Sequence, residues 1–327
     1  MLHNRISRLD FSGIESIDSA GVAFLEEIII DCSQEGELSI IPPKPEIQAV
    51  MDTFRSLELP EQKPSPEPGF FENLGDSLVI RFSSFYNILL LASDIFFWSL
   101  VGIVDSKSQR KGAVIHQSQL LGSNALPIVA LLSFIIGFIL SLQSAVQLRA
   151  FGADIFLADL LAVTMVREMS PLITAIIVAG RSGSAIASEI GTMKVSEELD
   201  ALKMMALNPV RYVVVPKFHA ITLMMPLLVS FSIIMGGIGG AVIAFGYLDL
   251  SATTFVARSI DIISLKDLIV TFSKSTVFAW LIVIIGSHYG FQVKGGAEGV
   301  GKATTFAVVT SIFAIIIADS LFSLLYL

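Results

Sequence analysis

Apolar positions change their rhythm once along this chain. Up to about residue 58 they come in short runs broken by polar residues. Ile6–Phe11 suits a strand, and Ser19–Gln34 suits a helix begun by Asp18 or Ser19 and stopped at Gly36, with Val22, Leu25, Ile28, Ile29 and Cys32 at helical spacing. Glu37–Ile41 reads as a second strand and Pro45–Leu57 as a second helix. This β-α-β-α order is the grammar of parallel strands covered by helices. The next stretch, Leu59–Gly69, reads LPEQKPSPEPG, a proline-rich solvated linker and hence a domain boundary.

Beyond the linker the pattern is almost continuously apolar. A spanning helix needs about 20 predominantly apolar residues, and five segments qualify: roughly 123–148, 155–180, 213–247, 268–291 and 303–327. Phe70–Val104 is apolar too, but Asn73, Asp76, Ser77, Ser83, Ser84, Asn87 and Asp94 fall on one stripe at steps of three, four and seven. That stripe predicts a helix lying in the membrane interface. A sixth span through 87–104 is the competing reading, and Asp94 near its centre opposes it. The predicted fold is a mainly α, polytopic membrane protein of five spans and an N-terminal interfacial helix. A small α/β module, residues 1–58, and the linker 59–69 precede the membrane domain 70–327.

Composition sharpens this picture. Of 327 residues 54% are hydrophobic and only 15% charged, with mean hydropathy +0.76, whereas an ordinary soluble domain is about one quarter charged. Residues 1–69 hold 13 acidic against 5 basic side chains, while the rest hold 16 of each. An acidic module thus precedes a neutral membrane body, and without a basic face nucleic acid is excluded as a partner. One cysteine and four histidines oppose a disulfide scaffold and a structural zinc site; no catalytic residue, metal ligand or cofactor is assigned. The N-terminus has no apolar run after its basic residues and does not read as a signal peptide. Lys and Arg in the loops number three in 107–111, five in 181–217, plus Lys294 and Lys302, against Arg149, Arg258 and Lys266 on the other side. Ten against three predicts a cytoplasmic N-terminal module and central loop, and an outward C-terminus.

Several motifs invite chemistry. Gly296–Lys302 matches phosphate-loop spacing, but Ala303 cannot ligate magnesium and a span, not a strand, precedes it. It is read as a flexible turn, and ATP chemistry is assigned to another chain. Arg167 and Glu168 lie about ten residues inside the second span, before Pro171. Charges at that depth are costly and mark a cavity or a buried partner; as sequence neighbours they point about 100° apart and are not each other's ion pair. They are read as a polar spot in a substrate cavity walled by the spans 123–148 and 155–180, with buried bonding between helices as the alternative. Gly236, Gly240 and Ala244, with Gly237 and Gly239 between them, form a small-residue seam for close helix packing. In the central loop, Val195–Met205 predicts a short helix with Glu197, Glu198 and Asp200 on one side and Leu199, Leu202 and Met205 at helical spacing. A helix of this kind suits docking onto a partner.

Two resemblances follow. LDFSGIESIDSAGVAFL, residues 9–25, with the strand-helix pair after it, resembles the STAS domain. The chain lacks about two N-terminal strands of that fold. Ala20 stands where phosphorylatable members carry the acceptor serine, so the resemblance implies no phosphorylation switch there. Ser19 occupies the hydroxyl position that in STAS subunits of lipid transporters meets an ATPase; a helix cap is its alternative role.

The segments VREMSP, AGRSGSAIASEIGTMKVSEELDALKMM and NPVRY, in order over about 100–327, resemble the MlaE-type permeases of phospholipid ABC transporters. The resemblance implies a homodimeric inner-membrane subunit that moves phospholipid across the bacterial envelope and maintains lipid asymmetry. Its implied partners are a separate ABC ATPase and a periplasmic MCE-type lipid-binding protein. It also implies a lipid cavity near Arg167 and Glu168 and an ATPase-coupling helix holding Glu197, Glu198, Asp200, Leu202 and Met205. Competing readings are a STAS-linked ion-coupled anion carrier, which has more spans and the opposite domain order, and a membrane-anchored signalling protein, which Ala20 opposes.

Overall fold

The computed structural model describes residues 8–35, 39–54, 70–104 and 112–326, in two units, Met1–Leu74 and Gly75–Leu327. The linker 59–69 and the basic run 107–111 lie outside the described residues.

In the first unit, strand β1 (Arg8–Asp10) pairs in parallel with β2 (Ser39–Ile41), Leu9 opposite Ile40. Helices α1 (Ser19–Glu35) and α2 (Pro45–Phe54) follow them in turn. This is the β-α-β-α order expected from the alternation, and Phe11, Val22 and Ile47 form its buried core. The cap of α1 is Asp18, whose Oδ1 accepts the amide N–H of Gly21 at 2.8 Å. Ser19 is therefore not the cap but an exposed residue of the first turn.

The second unit opens within α3 (Phe70–Val104). Its C-terminal half is docked by an aromatic cluster: Phe96 meets Phe218 and Trp280 edge-on, at centroid distances of 5.4 and 5.0 Å. Ser99 Oγ lies 2.6 Å from His219 Nε2. Asn87 and Asp94 stay exposed beside Leu90, Phe97 and Leu100, while Ile95 and Ser99 are buried, so the polar stripe shares the exposed surface with large apolar side chains.

Next come α4 (Ala113–Leu121), α5 (Leu126–Ala150), α6 (Phe156–Val195), α7 (Glu198–Met204), α8 (Val210–Gly246), α9 (Ala252–Asp261), α10 (Leu265–Phe291) and α11 (Gly296–Tyr326). Among the described residues five helical stretches are long and apolar enough to span a membrane: α4 with α5, then α6, α8, α10 and α11. They coincide with the five expected segments. At about 1.5 Å per residue the 40 residues of α6 reach about 60 Å, twice the hydrocarbon thickness of about 30 Å. Its last part, with Arg181, Glu189 and Lys194, carries α7 on one end of the bundle. Helix α9 follows the next span and lies at the other end.

Close approach of α5, α6 and α8 rests on glycine. A Cβ on Gly137 would fall on the Gly236 carbonyl, one on Gly239 on the Phe134 carbonyl, and one on Gly240 on the Leu161 side chain. The seam is a packing device, as its spacing predicted. It brings Ser133 Oγ within 2.7 Å of Ser232 Oγ.

Two local expectations are corrected. The helix expected over Val195–Met205 is shorter: Val195 ends α6, Ser196 and Glu197 turn, with Glu197 at φ +60°, and α7 begins at Glu198. A left-handed residue cannot continue a helix, so the chain changes direction there. The Gly296–Lys302 segment is not a free turn. Gly295 and Gly296 turn at φ +82° and +71°, and α11 is already helical from Gly296, with Lys302 paired to Glu298 at 2.6 Å.

The glycine contacts give a graded prediction. Gly137→Ala forces two helix backbones apart and should cost about 3 kcal/mol. Gly237→Ala, whose Cβ meets nothing within 4 Å, should stay within about 1 kcal/mol of the parent. Thermal unfolding of both variants in detergent checks the contrast.

Candidate functional site

The site begins with a proline. Pro171 has no amide N–H, so the carbonyl of Arg167 loses its helical donor. The helix answers with a π-helical turn over Met165–Met169, in which the Ser170 amide donates to the Met165 carbonyl. That shift also releases the Val166 carbonyl. Both freed carbonyls are satisfied from α10: Thr271 Oγ1 donates to Val166 O at 2.8 Å and Lys274 Nζ to Arg167 O at 3.1 Å. Such turns in otherwise regular helices recur at functional sites.

The side chains of this turn enter two linked charge groups. Arg167 Nε donates to Asp267 Oδ1 at 2.7 Å. Asp267 Oδ2 accepts from the Ser264 amide and hydroxyl at 2.8 and 2.7 Å, closing the capping box that starts α10. Tyr326 Oη donates to Asp267 at 3.3 Å, and its ring lies under the Arg167 guanidinium and the Lys266 ammonium. In the second group Lys274 Nζ is shared by Glu168 at 2.9 Å and Asp319 at 2.7 Å. Ser323 donates to both Glu168 oxygens. Lys274 is 2% exposed, whereas the Arg167 side chain is 43% exposed. Lys274 lies nine residues into α10, about 13 Å along it.

Arg167 and Glu168 are thus brought to one place, and each pairs with α10 and not with the other, as their angular separation required. Among the described residues the terminal guanidinium nitrogens of Arg167 donate no hydrogen bond, which leaves a planar fork for a phosphate or carboxylate. The partners Asp267, Lys274, Asp319, Ser323 and Tyr326 escaped the sequence reading. The signal for two of them was present, since Lys274 and Asp319 are charges inside expected spans.

Other predicted positions lie apart. In α7, Leu199 and Leu202 are buried in the core of the bundle. Glu197, Glu198 and Asp200 are exposed, as are Met204 and Met205 at 89% and 62%. Leu202 therefore anchors α7 to the bundle, whereas Met204, not singled out from the sequence, is exposed beside Met205. Lys203 lies 2.7 Å from Asp200 and holds its carboxyl below the usual range. Asn208 Oδ1 accepts the Val210 amide at 2.8 Å and so starts α8. Ser19 belongs to the first unit.

An apolar cavity of about 510 Å³ lies among α6, α8 and α9. Neither α5 nor Arg167 and Glu168 line it, so it is a different place from the substrate cavity expected near those two charges. No group of three or more His, Cys, Asp or Glu side chains is placed to hold a metal ion among the described residues.

Residues 114–325 match the family model described as Permease MlaE. A probable ABC transporter permease protein of Synechocystis sp. is 35% identical over 74% of this chain and 90% of its own length. One of Rickettsia prowazekii is 37% identical over 65% and 82%. The Arabidopsis thaliana chloroplastic protein trigalactosyldiacylglycerol 1 is 33% identical over 64% of this chain and 60% of its own.

Removing one partner of a buried charge group strands the others. Lys274→Met leaves Glu168 and Asp319 facing each other and should cost about 3–5 kcal/mol. Adding Asp319→Asn should recover part of that loss. Thermal unfolding of the single and double variants measures both.

Proposed function

The chain belongs to the MlaE permease family, the transmembrane subunits of ABC transporters, and on that footing we propose that it moves phospholipids between membranes of the bacterial envelope and so maintains lipid asymmetry. The observation that carries this reading is Arg167. Its guanidinium is held within the span bundle by Asp267, is half-exposed, and keeps two nitrogens free. A phospholipid offers the complementary phosphate, and charge-assisted, two-pronged hydrogen bonds bind it well. Glu168 plays the positioning part, fixing α6 against α10 and α11 through Lys274 and Ser323. The name of the Arabidopsis relative refers to a glycerolipid, which supports a lipid cargo.

The transporter is completed by a second copy, an ATPase and a periplasmic MCE-type protein. Helix α11 favours the second copy: it exposes Phe306, Val309, Phe313, Ile316, Ile317 and Leu321, a face apolar enough to meet its own twin. The chain sits in the inner membrane with its N-terminus in the cytoplasm and its C-terminus in the periplasm. ATP is hydrolysed on the separate subunit, to which α7 couples. Exposed Met204 and Met205 give that contact its apolar part, and Glu197, Glu198 and Asp200 its charge. Residues 1–58 form a STAS-like module whose Ser19, exposed beside the Asp18 cap, meets the same ATPase.

Two measurements test this. Arg167→Ala should lower the phospholipid copurifying with the dimer several-fold, by quantitative lipid analysis at matched protein amounts, without dissociating the dimer. Unchanged lipid content and transport would leave Arg167 a structural charge. Met204→Ser with Met205→Ser should weaken copurification of the ATPase at least tenfold while membrane insertion stays normal; undiminished association would remove α7 from the coupling contact.

A further inference from the structure

The cavity among α6, α8 and α9 takes no part in the charge cluster, and its properties ask for an occupant. Its volume, about 510 Å³, lies within the range of about 300–1,000 Å³ usual for ligand sites. The Ser259 hydroxyl is the one polar side-chain group on its walls. Walls of this kind hold no water and satisfy no polar head, so the complementary ligand is a hydrocarbon chain.

Length narrows the choice. Along α8 the lining runs from Ile233 to Phe245, about 18 Å at 1.5 Å per residue. One leaflet of hydrocarbon is about 15 Å deep. The cavity thus matches a single acyl chain standing in one leaflet. Its space is kept open by Gly237, where an added Cβ would meet nothing within 4 Å. Protein interiors are otherwise close-packed, and Gly236 and Gly240 on the neighbouring face of the same helix are packed tight against Met165 and Leu161.

A complementary charge stands beside the cavity, next in sequence to the wall residue Ser259. Helix α9 roofs the cavity with Phe255 and Ser259 and is fastened to α6 by Arg258, whose Nε and Nη2 donate to Asp159 at 3.1 and 2.9 Å. Arg258 Nη1 donates no hydrogen bond among the described residues, so it can receive an anionic group without releasing the latch. We propose that this cavity is a lateral binding site for one acyl chain of a membrane phospholipid, inserted beneath α9 with its phosphate at Arg258. The site stands apart from Arg167 and does not rest on the transport reading.

The test uses the full chain in nanodiscs of phosphatidylcholine doped with a phosphatidylcholine carrying a photoactivatable diazirine midway along one chain. After illumination, adducts are mapped by peptide mass spectrometry. They should form on the half-buried wall residues Ile233, Ala241 and Ser259. Gly237→Phe fills the cavity and should cut those adducts at least tenfold. Adducts on Leu223 and Leu227, exposed elsewhere on α8, should be unchanged, which also shows that the variant is inserted and folded. Should that variant not fold, Gly237→Leu is a smaller filler read in the same way. Arg167→Ala should leave the cavity adducts in place. Absent adducts on Ile233, Ala241 and Ser259, equal yields after filling, or loss in Arg167→Ala would each overturn a separate chain site.

Discussion

An ammonium group with 2% exposure governs the arrangement of the membrane unit. Lys274 is bound by Glu168 of α6 and Asp319 of α11, and it also caps the Arg167 carbonyl freed by Pro171. A charge at this depth persists only when every partner is in place. Three helices distant in sequence are thereby held in one relative position to within hydrogen-bond tolerance. Asp267 extends the constraint to the start of α10 and, through Tyr326, to the end of α11. What remains exposed after these demands are met is the guanidinium fork of Arg167.

Packing and polarity depend on each other here. The glycines of α5 and α8 let two backbones nearly touch, which sets where α6 lies against α8 and which of its faces meets α10. The same glycine-rich segment then does the opposite at Gly237, where the missing side chain preserves a cavity. One continuous rod, α6, runs from the charge cluster to the turn at Ser196 and Glu197 that aims α7. Leu199 and Leu202 fix α7 to the bundle core while Met204 and Met205 face away. The two ends of α6 are therefore joined by one helical stretch, broken in its α-helical regularity by π-helical turns at Met165–Met169 and Ala179–Gly183.

A second proline repeats the first device. Pro216 follows the π-helical turn Val210–Val214 as Pro171 follows Met165–Met169, because each proline denies a donor to the carbonyl four residues earlier. The second turn lies where α8 begins, and the adjacent Lys217, 1% exposed, pairs with Glu189 of α6 at 2.7 Å. Each of these two turns thus has beside it a buried lysine paired with a partly exposed glutamate of α6.

The sequence by itself determined the elements whose cause is local. Apolar length set the five spans, four-residue glycine spacing set the α5–α8 seam, and the alternation before residue 58 set a parallel strand pair. Arg167 and Glu168 were legible because a charge in an apolar run is anomalous whatever surrounds it. Their partners were not, since Asp267, Lys274, Asp319 and Tyr326 are 100 to 159 residues away and only packing chooses among the charges available. Leu202 and Met205 likewise shared one periodic face, and only the end of α7 at Met204, which leaves Met205 beyond the helix, separates the core residue from the exposed one. The cavity was decided by tertiary structure alone, because a void belongs to no residue: it exists where α6, α8 and α9 fail to meet around Gly237.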